Sequence, residues 1–169
     1  MIKKQKGFSL IELLIVVAII LIIAAIAIPN LLRARMAANE ASAVGSIRTI
    51  NTSAVAYSST WGVQFPTSMA VMAGVPGGLA VCGAALLIDP TLAGAISAPT
   101  AKSGYWFTYI GATATPAQGG CTGFDSYTIV GVPATIGQSG QRGFFSDQSG
   151  VIRYTTNGVA PTVVSPPLQ

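Results

Sequence analysis

Between residues 8 and 28 the chain carries one hydroxyl, Ser9, and one carboxylate, Glu12; every other side chain is apolar. Residues 13–28 form an unbroken apolar run of 16. As a helix that run spans about 24 Å, short of the roughly 30 Å hydrocarbon core of a bilayer. Counting from Phe8 gives 21 residues and about 31 Å, which fits. A full span therefore takes in Glu12. Beyond Pro29 the pattern changes. Ala41, Val44, Ile47, Ile50, Ala54 and Tyr57 recur at spacings of three or four, which makes one apolar stripe on a helix. Glu40, Arg48 and Asn51 fall largely off that stripe. The two patterns together predict one long helix over residues 8–60, apolar on all faces at first and on one face later. Pro29 removes a backbone hydrogen bond and crowds the carbonyl of Ala25, which predicts a kink there.

Residues 61–103 read as a long connecting loop. They contain Pro66, Pro76, Pro90 and Pro99, many glycines, and two charges, Asp89 and Lys102. A short helix or strand is expected near residues 84–89. A connector with so few charges is expected to pack on its own sheet or on a neighbouring chain. Residues 104–156 then hold strand-like runs at 104–110, 124–132, 142–147 and 151–155, with Gln148-Ser149-Gly150 as a hairpin turn signal. Residues 157–169, with Pro161, Pro166 and Pro167, read as an extended, poorly ordered tail. Helix, then loop, then consecutive strands predicts an α+β fold, with three or four antiparallel strands on the second half of the long helix.

Charge first suggests a basic protein, since the net charge of the 169 residues is +4. Three of the nine basic residues, Lys3, Lys4 and Lys6, lie in residues 1–7. Without that leader, six Lys/Arg face five Asp/Glu and the balance is +1, so charge gives little support for nucleic-acid binding. Tyr105, Trp106, Phe107, Tyr109, Phe144 and Phe145 are not interleaved with basic residues as a stacking platform requires; they read as sheet core and interface. The chain has no histidine, its five acids are scattered, and no phosphate-cradling loop appears. The sequence thus offers no catalytic residues, no metal site and no cofactor site. Its two cysteines, Cys82 and Cys121, are 39 positions apart. On the exported side of a membrane they read as a disulfide; two free buried thiols are the alternative, and a metal site has too few ligands.

The candidate chemistry therefore sits at the N-terminus. A carboxylate inside a membrane-grade segment costs on the order of 2.5–3.5 kcal/mol at the bilayer centre and less near the interface, and it calls for a partner. The basic residues before the span favour a cytoplasmic N-terminus. A secretory signal cut after Ala25-Ile26-Ala27 and a plain N-terminal anchor are the simpler alternatives. The stretch Lys-Gly-Phe-Ser-Leu-Ile-Glu-Leu-Leu-Ile-Val-Val-Ala-Ile-Ile, residues 6–20, resembles the prepilin signal of type IV pilins and related pseudopilins. The resemblance implies cleavage between Gly7 and Phe8 by a prepilin peptidase, N-methylation of the new Phe8 amine, and a role for Glu12 in subunit addition. It implies residence in the bacterial inner membrane through residues 8–28, then assembly by a pilus machinery into a helical homo-oligomer. The filaments of this family serve adhesion, twitching motility or DNA uptake. A pseudopilin of a type II secretion system and a minor or adhesive pilin share the signal. The long helix followed by a sheet matches the pilin fold in element order.

Overall fold

The computed structural model describes residues 8–62, 64–117 and 119–168; the leader, with Gly7, lies outside them. The chain divides after Arg35 into two units. The helix α1, Leu10–Trp61, contributes to both. It begins two residues later than the apolar pattern suggests, where the Glu12 side chain folds back to accept the Ser9 backbone N–H. It ends at Gly62, whose φ of 68° is a backbone shape that costs glycine least, and whose N–H donates to Ser58 O at 3.1 Å. The helix runs on through Pro29.

The second unit holds the rest of α1, a connector and a sheet. Four strands, β1 Tyr105–Ala114, β2 Phe124–Pro133, β3 Gly143–Asp147 and β4 Arg153–Thr155, form an antiparallel meander in the order β1-β2-β3-β4. Alternation sends Tyr105 and Phe107 of β1, and Tyr127 and Ile129 of β2, to the buried face. There they meet Ala43, Ile47, Ile50 and Ala54 of α1. Gly131 lets the helix come close: a Cβ built there would lie 3.0 Å from Phe107 and 3.3 Å from Ile47.

The connector is more structured than expected. Short helices lie at α2, Met69–Ala73, and α3, Pro90–Ala93, with a 3₁₀ turn at Ala98–Thr100. Residues 84–89 are neither helix nor strand. The helices start where side chains cap them: Ser68 Oγ accepts from Val71 N–H, and Asp89 accepts from Thr91 N–H. Met69, Met72, Ile88, Leu92 and Ala95 enter the main core, so the charge-poor connector packs on its own domain.

The tail also departs from expectation. It lies along β4: Tyr154 N–H donates to Pro166 O at 3.1 Å, Leu168 N–H to Ile152 O at 2.7 Å, and Arg153 Nη1 to Ser165 O at 2.8 Å. Proline fixes the backbone locally, and the Pro166 carbonyl still accepts a bond from a strand edge that would otherwise stay open.

Candidate functional site

The first unit is an apolar rod end. Phe8 and Ser9 precede the helix, and Leu10, Ile11, Leu13, Leu14, Ile15 and their successors to Leu32 are solvent-exposed in the isolated chain. This part of α1 is long and apolar enough to cross a membrane. Glu12 sits in the first turn, where its Oε2 accepts the Ser9 backbone N–H at 2.9 Å. A glutamate three residues past the cap residue satisfies one of the helix's unpaired N–H groups and complements its dipole. Glu12 is thus answered inside its own chain. Among the described residues its other oxygen has no hydrogen-bond partner. The Gly7–Phe8 bond lies at the edge of the described residues.

The second unit grips α1 through polar contacts that the apolar stripe does not reveal. Glu40 is buried. Its Oε1 accepts from the N–H groups of Gln141 and Arg142, at 2.9 and 3.1 Å, and its Oε2 pairs with Arg142 Nε at 2.7 Å. The Arg142 guanidinium also lies over the rings of Phe144 and Tyr154. Beside it Asn39 Nδ2 donates to Ser139 O at 2.8 Å. One face further along, Tyr127 Oη donates to Asn51 Oδ1, Asn51 Nδ2 to Ser146 Oγ, and Ser146 Oγ to Val151 O, at 3.0, 2.8 and 3.2 Å. Glu40 and Asn51 therefore face the core, against the expectation that they lie off the buried stripe; Arg48 is exposed as expected. Buried polar groups need partners, and here the sheet supplies them. The sequence signal that could have found them is their spacing: Glu40, Ile47, Ile50, Asn51 and Ala54 share one face at 3.6 residues per turn.

Cys82 and Cys121 form a disulfide, with Cα atoms 5.8 Å apart. It joins the connector to the β1–β2 loop beside Tyr57, Ala85 and Trp61. Tyr57 Oη donates to Cys82 O at 2.8 Å, and burial raises its pKa. Tyr109 and Tyr127 stack with centroids 5.2 Å apart. Burial, and then the Asp147 carboxylate, push Tyr127 up to about 12. Burial foremost, with Glu40 second, raises Tyr105 further, and burial foremost raises Tyr109 as well. These tyrosines are neutral core residues. Of the aromatic run, Tyr105, Phe107, Phe144 and Phe145 are buried, while Trp106 and Tyr109 are half-buried.

Residues 2–28 match the family model described as the prokaryotic N-terminal methylation motif. A stretch of 38 residues is 66% identical to the type IV wide pilus major component PilA4 of Thermus thermophilus; it covers 22% of this chain and 29% of that relative. No solved structure matches. The likeness to known proteins is thus confined to a short segment, while the sheet and connector are described by their own geometry. The chain carries the prokaryotic N-terminal methylation motif, at the start of an α+β, pilin-like architecture.

Proposed function

We propose that the chain is the structural subunit of a bacterial type IV pilus. A prepilin peptidase cuts between Gly7 and Phe8, and Phe8 is N-methylated. Residues 8–28 hold the subunit in the inner membrane, N-terminus on the cytoplasmic side, until the assembly machinery draws it into a helical filament of like chains. The observation that carries this reading is the exposed, all-round apolar start of α1, broken by one carboxylate. Such a surface requires lipid or other such helices around it. The chain is then a substrate of processing enzymes and is not itself an enzyme. The similarity to a protein named as a wide pilus component covers 38 residues and supports a subunit of this kind of filament; a type II secretion pseudopilin, which shares the N-terminal signal, is the alternative.

Cleavage creates a cationic amine on Phe8, four residues before Glu12. In a filament core each charge is costly alone, and an opposite charge from a neighbour relieves both. Glu12 thus exchanges its contact with Ser9 for one that sets axial register between subunits. The bend at Pro29 belongs to the same proposal, since it lets the apolar segment adjust its direction on leaving the bilayer. Mass spectrometry of the mature N-terminus tests the pathway: methylated Phe8 is expected, and an N-terminus at Ile28 refutes it. Glu12→Ala is expected to leave processing intact and abolish filaments; wild-type filament yield from that variant refutes the register role. Loss of secreted enzymes without loss of surface filaments on deleting the chain would move the reading to a pseudopilin.

A further inference from the structure

The second half of α1 meets different material on its two flanks. On one flank Ser53 Oγ donates to Leu87 O at 3.1 Å and Tyr57 Oη to Cys82 O at 2.8 Å, both in the connector. On the other, Asn51 bonds Ser146 and Tyr127 of the sheet. At 3.6 residues per turn, Ser53 and Tyr57 lie well around the helix from Asn51, Val55 and Arg48, with Ile47, Ile50 and Ala54 between them.

The first flank presents an apolar lobe. Leu79 is 88% exposed, Val75 71% and Val81 52%. Residues 62–88 contain no charged side chain. The lobe is held in shape by the Cys82–Cys121 disulfide, by reciprocal backbone bonds between Val81 and Ala84, and by Ala85 N–H donating to Val71 O. A clustered apolar projection of this kind marks an interaction surface. The second flank presents the opposite shape. An open groove of about 660 Å³ runs between α1 and the β3–β4 turn, lined by Arg48, Thr52, Val55, Ala56, Tyr127 and Ser149 among others. Val55 is 56% exposed at this groove. Its one charged residue, Arg48, has no acid within ion-pair distance among the described residues. The 61–103 connector carries two charges, the exposed Asp89 that follows the lobe and Lys102, which acts on Asp89 electrostatically. Apolar projection and apolar groove, exposed carboxylate and unpaired guanidinium, are complementary.

We propose that the groove of one copy receives the 75–81 lobe of a second copy, Leu79 against Val55 and Ala56, with Asp89 of the second copy facing Arg48. Lobe and groove lie on opposite flanks of one helix, so the contact is heterologous. Each copy that docks its lobe still offers a groove, and the contact propagates instead of closing as a two-fold dimer. The inference rests on the filament reading and names the head-to-head contact within it.

The test uses the full chain with the photo-crosslinking residue p-benzoylphenylalanine in place of Val55, irradiated in filaments sheared from cells and mapped by mass spectrometry. Intermolecular crosslinks to residues 75–81 are expected. Crosslinks to another segment of a second copy, to a different protein or to lipid overturn the docking. Leu79→Asp and Arg48→Glu alter exposed side chains, so they should leave the thermal midpoint of the monomer unchanged. Leu79→Asp should lower filament yield at least about tenfold, the scale of one lost leucine-sized apolar contact, and Arg48→Glu, which sets two carboxylates face to face, should lower it by a smaller factor; wild-type yield from either overturns the docking. A processed wild-type chain that forms no filaments removes the proposed function and this contact together. Filaments whose crosslinks fall elsewhere remove this contact alone.

Discussion

Glu40 binds three donors from one loop, and removing it exposes how the sheet domain holds its helix. Glu40→Ala leaves the Gln141 and Arg142 N–H groups, now 2.9 and 3.1 Å from the carboxylate, without their acceptor. Hydrogen bonds to a charged group contribute about 1.5–3 kcal/mol each, and an orphaned buried donor costs about 1–3 kcal/mol. The ion pair with Arg142 adds less, because the arginine side chain is 37% exposed and solvent screens it to about 1 kcal/mol or below. These terms overlap, and together they predict a loss of about 3–5 kcal/mol, a large share of the 5–15 kcal/mol that holds an ordinary domain. Glu40→Gln keeps one carbonyl oxygen for the two backbone donors and gives up the charge, so about 1–2 kcal/mol is expected. Urea unfolding of the mature protein in detergent, followed by Trp61 and Trp106 fluorescence, reads both values from the midpoints. A loss below 1 kcal/mol for Glu40→Ala refutes the reasoning. So does a Glu40→Gln variant as unstable as the alanine, since the backbone acceptor role is what separates them.

Asn51→Ala strands Tyr127 Oη and removes one of the two bonds of Ser146 Oγ, which keeps Val151 O, and should cost about 1–3 kcal/mol in the same assay; a loss under about 0.5 kcal/mol counts against the buried relay. Replacing Cys82 and Cys121 together by serine should cost about 3–4 kcal/mol, the loop-closure value for 39 residues, and reductant should lower the wild-type thermal midpoint but leave the variant unmoved. Alkaline titration should erode stability. Tyr127 ionises near 12 in the folded chain and near 10 unfolded, so its contribution is fully present below pH 10 and is lost as pH rises toward 12. The slope reaches about 1.4 kcal/mol per pH unit per tyrosine, with Tyr105 and Tyr109 adding in the same direction. Urea midpoints that stay flat from pH 9 to 11 would contradict burial of these hydroxyls.

What the sequence made legible follows from how local each signal is. The apolar run, its lone carboxylate and the prepilin-like junction are contiguous, so they could be read without any tertiary information. Strands rich in aromatic and β-branched residues alternate over short windows, and their order followed directly. The connector failed because α2 and α3 are four or five residues long, too short for a period to show; capping by Ser68 and Asp89 was the available sign. The tail failed for a different reason. Three prolines suggest disorder when no partner is in view, yet the open edge of β4 supplies one. Glu40 and Asn51 were misplaced because a stripe drawn from apolar residues alone assigns every polar side chain to solvent, whereas their partners Arg142, Tyr127 and Ser146 lie 76 to 102 residues downstream of them.

Those two polar residues also explain how a smooth helix finds one position on the sheet. Ala43 and Ala54 are small, and contacts between alanines and a flat sheet change little when a helix slides by a turn. Ile47 lodges where Gly131 leaves room, which resists sliding but tolerates modest rotation. Glu40 and Asn51 remove that freedom: a shift of one turn, about 5.4 Å, would break every bond they make and leave a buried carboxylate unpaired. Burying polar groups is a poor route to net stability, but each wrong register is penalised several-fold more than the right one is rewarded. In the proposed filament this matters beyond the monomer. Like copies can pack alike only if each holds its sheet at the same place on its helix, and the bonds to Glu40 and Asn51 fix that place.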